Sequence, residues 1–333
     1  MKNFSWKNIF GNAPNIAHLR KILSEKKFPH AVIFSGVEGI GKRKIAENCA
    51  AALLCENPNE GEACGVCRSC RLLAASNHSD FYVVEPEKSK TAQIIKIGQI
   101  RDLQSQVLLQ PNISNSRVVI IDGAEFMNKA AANCLLKTLE EPTGQTVFIL
   151  TTANRAGLLM TVRSRCSFIN FEKISAAEIA NNLKLRGVDS ERAQNISLIA
   201  DGSFGRALKL EESGGVEIRN DALNFLENLL AEKVTVEEIF ERGKTFSEGS
   251  KENFADFVTY IQKILRDVFL LESAELYNPD LKSRLAEIKI PEETLYELFE
   301  EGKKIRRKLN SNANLRLLVE SYFLKSRQII EGR

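Results

Sequence analysis

Five short runs of almost wholly apolar, β-favouring residues punctuate the first half of this 333-residue chain: Ala31-Val32-Ile33-Phe34, Phe81-Tyr82-Val83-Val84, Val118-Val119-Ile120-Ile121, Val147-Phe148-Ile149-Leu150 and Ser167-Phe168-Ile169-Asn170-Phe171. Strands without a polar side are buried on both faces, as in a parallel sheet covered by helices. Amphipathic stretches lie between them, among them Lys129 to Glu141, which Pro142 ends. Strand and helix in alternation predict an α/β layered domain up to about Phe171.

Beyond Phe171 the pattern changes to helices alone. Ser175 to Arg186 opens on a Ser-Ala-Ala-Glu capping box, a second helix runs from Ser190 to Ala200, and a third begins near Phe204. The run Glu211-Glu212-Ser213-Gly214-Gly215 reads as a hinge. Phe254, Phe257, Val258, Ile261, Ile264, Leu265, Val268 and Phe269 recur at helical spacing, and Asn312 to Ile330 forms another long helix. An all-α domain of about a hundred residues is expected there. The length itself exceeds what one hydrophobic core usually holds, which implies two or three domains.

Hydrophobic residues at 44% and charged residues at 27% exclude a mainly disordered chain or a fibre. The 46 Lys+Arg against 43 Asp+Glu leave +3, too near neutral to hold nucleic acid by bulk charge. No run approaches the roughly 20 apolar residues of a membrane helix. Met1 to Lys7 has no apolar signal core behind it, so a cytoplasmic chain without a membrane partner is expected. The seven cysteines are then thiols or metal ligands rather than bridges. Ile330-Glu331-Gly332-Arg333 reads as a protease-site scar.

The first strand runs into Gly36-Val37-Glu38-Gly39-Ile40-Gly41-Lys42-Arg43 and then a helix, the G-x-x-x-x-G-K part of a phosphate loop in its proper context. The glycines let amide groups turn toward phosphate at a helix N-terminus, and Lys42 reaches the outer phosphates. The magnesium-ligating Ser or Thr is replaced by Arg43, whose guanidinium repels a cation. A glycine-rich turn without ligand is the alternative. Asp122 follows the third strand, where an acidic residue helps hold Mg²⁺, but the catalytic Glu expected next to it is Gly123, and Glu125 stands two residues further on. ATP or ADP binding fits this set. Hydrolysis does not.

Cys55, Cys64, Cys67 and Cys70 read C-x8-C-x2-C-x2-C, a spacing that lets four thiolates close a tetrahedral structural zinc site. Iron–sulfur ligation and unligated thiols are the alternatives. His78 is a possible substitute ligand, while Cys49 and Cys134 fall inside helices and read as core thiols.

Phe28-Pro29-His30-Ala31 before the loop, the four-cysteine module, Asn133-Cys134-Leu135-Leu136-Lys137-Thr138-Leu139-Glu140-Glu141-Pro142, Leu158 to Cys166 and Asn312 to Glu320 follow one another along the chain. Together they resemble the bacterial clamp-loader subunits of the AAA+ class that belong to the DNA polymerase III holoenzyme, and among these the delta prime branch. The resemblance implies an AAA+ type parallel sheet covered by helices over residues 1–172 with a zinc module at 55–70, a small helical lid at 173–213, and an all-α collar at 214–333. It also implies a pentamer with gamma/tau ATPase subunits and a delta subunit, which loads a sliding clamp onto primed DNA. Arg165 of the triplet Ser164-Arg165-Cys166 would enter a neighbour's ATP site, where such an arginine is worth roughly 10³–10⁵ in rate, or forms a surface or sheet-edge ion pair. Thr152 matches a polar γ-phosphate sensor or merely caps the next turn. Arg206 matches a lid arginine that contacts nucleotide, or pairs with an acidic neighbour. The defects at Arg43 and Gly123 fit a subunit that is not itself an ATPase but part of a DNA-directed DNA polymerase holoenzyme.

Two rival readings are an active AAA+ motor, favoured by Lys42 and Asp122, and a zinc-dependent nucleic-acid-binding module. The cluster Lys303-Lys304-Ile305-Arg306-Arg307-Lys308 fits phosphate tracking, but Glu297, Glu300 and Glu301 one turn earlier fit better with a solvated helix face or a collar contact.

Overall fold

The computed structural model describes residues 4–88, 93–141, 144–212, 214–249, 251–272, 276–309 and 314–332. The expectations at Pro142, Ser213, Asn312, Ala313, Arg333 and the first three residues lie outside this set.

Among the described residues seven strands form: β1 (Ala31–Ser35), β2 (Phe81–Val84), β3 (Glu87–Lys88), β4 (Gln93–Ile94), β5 (Arg117–Ile121), β6 (Thr146–Thr152) and β7 (Ser167–Asn170). Five make a parallel sheet in the order β2-β5-β6-β1-β7, while β3 and β4 pair antiparallel beside it. The helices of this part are α1 (Ala13–Ser24), α2 (Lys42–Leu54), α3 (Arg68–Ala74), α4 (Ile97–Val107), α5 (Lys129–Glu140) and α6 (Met160–Arg163). All five residues of β5 are buried, as are the first four of β1. Side chains alternate across a strand, so Ile33, Val119, Ile121, Phe148 and Leu150 face one way. There they meet Ile100, Leu103 and Val107 of α4 and Ala131, Leu135 and Leu139 of α5. The opposite face packs against α2, whose Ile45, Ala46, Cys49 and Ala50 are buried. The chain is thus an α/β protein with a helix-covered parallel sheet and a mostly helical C-terminal region.

The remaining helices are α7 (Ala176–Leu185), α8 (Ser190–Ile199), α9 (Phe204–Glu212), α10 (Gly215–Leu230), α11 (Val236–Glu248), α12 (Lys251–Phe269), α13 (Lys282–Glu287), α14 (Glu292–Leu309) and α15 (Leu315–Glu331). The capping box forms as read: Ser175 Oγ accepts the Glu178 amide at 3.2 Å and donates to Glu178 Oε2 at 2.9 Å. The chain divides into two compact units, one of residues up to Glu178 with Gly202–Gly205, the other of Ile179–Asp201 and Arg206 onward. In the first, Gly205 N donates to Gly39 O at 2.8 Å and Ser203 Oγ to Glu38 O at 2.7 Å, so this short segment braces the glycine loop. In the second, α12 packs on α10 and α14, and α15 packs on α11 and α14. Its core holds the rings of Phe225, Phe246, Phe254, Phe257 and Phe323, and the Arg242 guanidinium lies 5.2 Å above the Phe225 ring while pairing with Asp221 and Glu238.

Candidate functional site

The glycine loop leaves the end of β1 and turns into α2. A Cβ on Gly36 would lie 2.6 Å from the Phe171 carbonyl oxygen, so only glycine fits between β1 and the end of β7. Gly41, with φ of +100°, has open space around it and requires glycine for its backbone instead. Among the described residues, no protein acceptor takes the amides of Gly39, Gly41, Lys42 or Arg43. The Lys42 ammonium is turned onto the loop, donating to Gly36 O at 2.7 Å and Val37 O at 2.8 Å. Burial pulls its pKa below the usual value, against the opposing pull of Glu125, Asp122 and Glu38. Gly39, Gly41, Lys42, Arg43, Glu47, Glu85, Asp122, Thr151 and Thr152 line one cavity of about 1110 Å³. It opens beyond the carboxyl ends of β5 and β6, where α/β sheets place their ligands.

Arg43 occupies the acidic side of this cavity. Its guanidinium reaches Glu85 Oε1 at 2.8 Å, Asp122 Oδ2 at 3.1 Å and Glu47 Oε1 at 3.0 Å. The other Asp122 oxygen accepts the Thr151 hydroxyl, and Thr151 Oγ1 in turn accepts the Gly123 amide at 3.1 Å. Gly123 has φ of +69°, and a Cβ there would stand 2.7 Å from the Phe126 ring. A glutamate beside Asp122 therefore conflicts with the backbone as well as the packing. Glu125 is held at the end of β6, where its Oε1 accepts the Ala153 amide at 2.7 Å. Thr152 is buried and its hydroxyl accepts the Asn154 amide at 3.1 Å, the turn-capping alternative.

At the other end of α2, the Sγ atoms of Cys55, Cys64, Cys67 and Cys70 lie within 4.8 Å of one another and can hold a metal ion. Cys64, Cys67 and Cys70 amides donate to the sulfurs of Cys55, Cys64 and Cys67 at 3.3–3.4 Å, which favours thiolates. The Val66 amide, ahead of an opposing burial effect, holds the Cys64 thiol down to about 7, whereas burial pushes Cys70 up. His78 is outside the cluster: its Nδ1 accepts the Asp80 amide and its Nε2 meets Ser69 Oγ at 2.8 Å. Cys49 is a buried thiol, raised by that burial, while Cys134 is only half-buried and donates to Gln104 Oε1 at 3.1 Å.

Arg165 follows α6 at the edge of β7. Its Nε donates to Glu140 Oε1 at 2.6 Å, Nη2 pairs with the same oxygen, and Nη1 reaches Thr161 O at 2.8 Å. Ser164 is exposed, while Cys166 turns inward and burial pushes its thiol up to about 12. Arg206 belongs to the second unit, where it hydrogen-bonds Tyr260 and lies near Asp256. Lys303 pairs with Glu300 on the exposed side of α14, while Lys304 pairs with Glu301, a buried carboxylate that also meets Lys325 of α15.

Thr151, Glu85 and Glu47 were not singled out in the sequence. Glu85 directly follows the β2 run, and residues just past parallel strands line such crevices. Glu47 stands four residues after Arg43 on the same helix, a spacing that brings the two side chains together.

A glycine-loop cavity at the carboxyl edge of a 2-5-6-1-7 parallel sheet, with a four-cysteine cluster at the far end of α2, defines an α/β protein with a candidate anion site and a candidate metal site. The chain is similar to subunits of DNA polymerase III. The family described as "DNA polymerase III, delta subunit" matches residues 11–175. The chain is 36% identical over 214 residues to DNA polymerase III subunit delta' of Pseudomonas aeruginosa, which is 64% of this chain and 65% of that protein. It is 29% identical over 303 residues to subunit tau of Bacillus subtilis, 85% of this chain and 52% of that one. With Escherichia coli subunit delta' it shares 36% over 137 residues, 41% of this chain and 40% of that one. These matches span less than two thirds of the relatives' own length. A gamma subunit-related protein of Thermotoga maritima superposes over 95% of this chain and 99% of its own, with a TM-score of 0.46 at 19% identity.

Proposed function

We propose that this chain is a clamp-loader subunit of DNA polymerase III that does not hydrolyse ATP and supplies Arg165 to the ATP site of a neighbouring subunit. The observation that carries this reading is the Arg43 guanidinium lodged against Asp122, Glu85 and Glu47, where a hydrolysing site needs Mg²⁺. Gly123 removes the catalytic carboxylate as well. Arg165 stands outside the cavity on a half-exposed ion pair, and a neighbour's γ-phosphate can replace Glu140 as its anion. A guanidinium there stabilises charge that develops in the transition state.

The partners follow from the same reading: gamma/tau ATPase subunits and a delta subunit in a cytoplasmic pentamer that places a sliding clamp on primed DNA. Residues 173–213 serve as the lid and 214–333 as the collar. Cys55, Cys64, Cys67 and Cys70 hold a structural zinc: a tetrahedral ion with Zn–S near 2.3 Å sets sulfurs about 3.8 Å apart, and two pairs stand at 4.0 Å here. No helix is long and apolar enough to cross a membrane among the described residues.

DNA-stimulated ATP turnover by the chain mixed with its ATPase and delta subunits tests the arginine. Arg165→Ala is expected to assemble normally and to lose turnover by on the order of 10³-fold; unchanged turnover rejects the assignment. The rival reading of an active motor has the similarity to the tau subunit across 85% of the chain in its favour. It requires steady-state hydrolysis by the chain alone, abolished by Lys42→Ala.

A further inference from the structure

Arg43 does more than remove a magnesium ligand. Both oxygens of Asp122 are engaged, one by Arg43 and the other by Thr151, which leaves the aspartate little to offer a divalent ion. Admitting Mg²⁺ would require the guanidinium to leave three carboxylates, because two cations at that distance repel each other strongly in a partly buried site. The phosphate-facing side of the same cavity is intact. The amides of Gly39, Gly41, Lys42 and Arg43 have no protein acceptor among the described residues, and Gly41 holds the left-handed backbone that turns them inward. Lys42 is buried yet bonded only to two loop carbonyls, contacts that a phosphate oxygen can displace. The Arg43 side chain is 26% exposed toward this space, so part of its fork remains available to an anion.

We propose that this cavity binds the diphosphate of a nucleotide without a divalent metal, the Arg43 guanidinium supplying the positive charge that Mg²⁺ brings to a hydrolysing site. The inference rests on reading the glycine loop as a nucleotide site. It has a chemical consequence: a fixed guanidinium, tethered to Asp122, can donate its remaining N–H groups to the outer phosphates but cannot polarise a water. The bound nucleotide is then a structural ligand that is held and not turned over.

ADP binding to the native chain, by calorimetry at constant ionic strength, tests this in metal-free buffer with and without added Mg²⁺. A chelator is avoided because it would attack the cysteine cluster. The expected result is an affinity that changes by less than about twofold on adding Mg²⁺ and is lost in Lys42→Ala, whereas Arg43→Thr gains at least about tenfold from Mg²⁺. Native binding that needs Mg²⁺ overturns the inference and leaves the nucleotide site standing. No ADP binding in either buffer overturns both. Should Arg43→Thr fail to fold, the native comparison alone decides, and Arg43→Lys, which keeps the charge, is expected to stay indifferent to Mg²⁺.

Discussion

The two ends of helix α2 obey the same electrostatics and are finished in opposite ways. Every helix leaves donors unmet at its start and acceptors unmet at its end. At the end of α2 the protein meets them itself: Leu54 O accepts Ser69 Oγ at 2.6 Å and Ser114 Oγ at 3.0 Å, and Leu53 O accepts Ser116 Oγ at 3.3 Å. At its start the loop amides face a cavity and no described residue accepts them. The difference teaches where to look for function. A helix end capped by its own chain is architecture, and one left open inside a cavity is where the proposed phosphate would sit.

The largest expected effect lies at the closed end. Cys67→Ser should abolish retention of the metal and cost about 3 kcal/mol or more of stability, since losing a structural ion is among the few large single-site effects. Metal analysis and thermal denaturation check this. ADP binding at the open end should survive, and its loss would mean the two ends are not independent. Gly123→Glu comes next: it forces a glutamate into a left-handed backbone against the Phe126 ring, costs roughly 1–3 kcal/mol, and gives no ATP turnover. Hydrolysis by that variant would break the account of the open end. Ser69→Ala should cost about 1–2 kcal/mol through lost donation to Leu54 O and loosened support of His78, read by chemical denaturation.

The smallest effect is acid-dependent. Asp80 lies beneath the closed end and accepts the amides of Asn112, Ile113 and Ser114 at 2.7–2.9 Å. Burial works to raise its pKa, but the Ser114, Asn112 and Ile113 amides outweigh it, so the carboxyl sits below its ordinary value. A depressed carboxylate stabilises the fold above its unfolded value near pH 4 and loses that contribution as pH falls through the folded one. Asp80→Asn should therefore cost about 1 kcal/mol at neutral pH and progressively less below about pH 4. A difference between native and variant that does not vary with pH would sink this assignment.

The sheet was legible because its strands have no polar side. All five expected runs are strands, and their boundaries shift by one or two residues where polar Thr151 and Thr152 extend β6 or Arg117 begins β5. The glycine loop and the cysteine set were legible for a different reason, since their chemistry depends on local spacing. What escaped is long-range. Arg43 was read as a defect, but nothing nearby in sequence says that Glu85 and Asp122 converge on it. The β3–β4 pair is two residues per strand and too short to leave a periodic signal. At Thr152 the turn cap read from the sequence does form, the hydroxyl accepting its second-neighbour amide.

The left-handed Gly123 also bears on how such a chain can change over generations. Restoring turnover needs a hydroxyl in place of Arg43 and a carboxylate in place of Gly123. Each substitution alone has a cost: removing Arg43 takes from Asp122, Glu85 and Glu47 the cation that the chain itself supplies, and filling position 123 strains a backbone. On the proposed reading, the conformation of one glycine therefore acts as a ratchet against the gain of turnover.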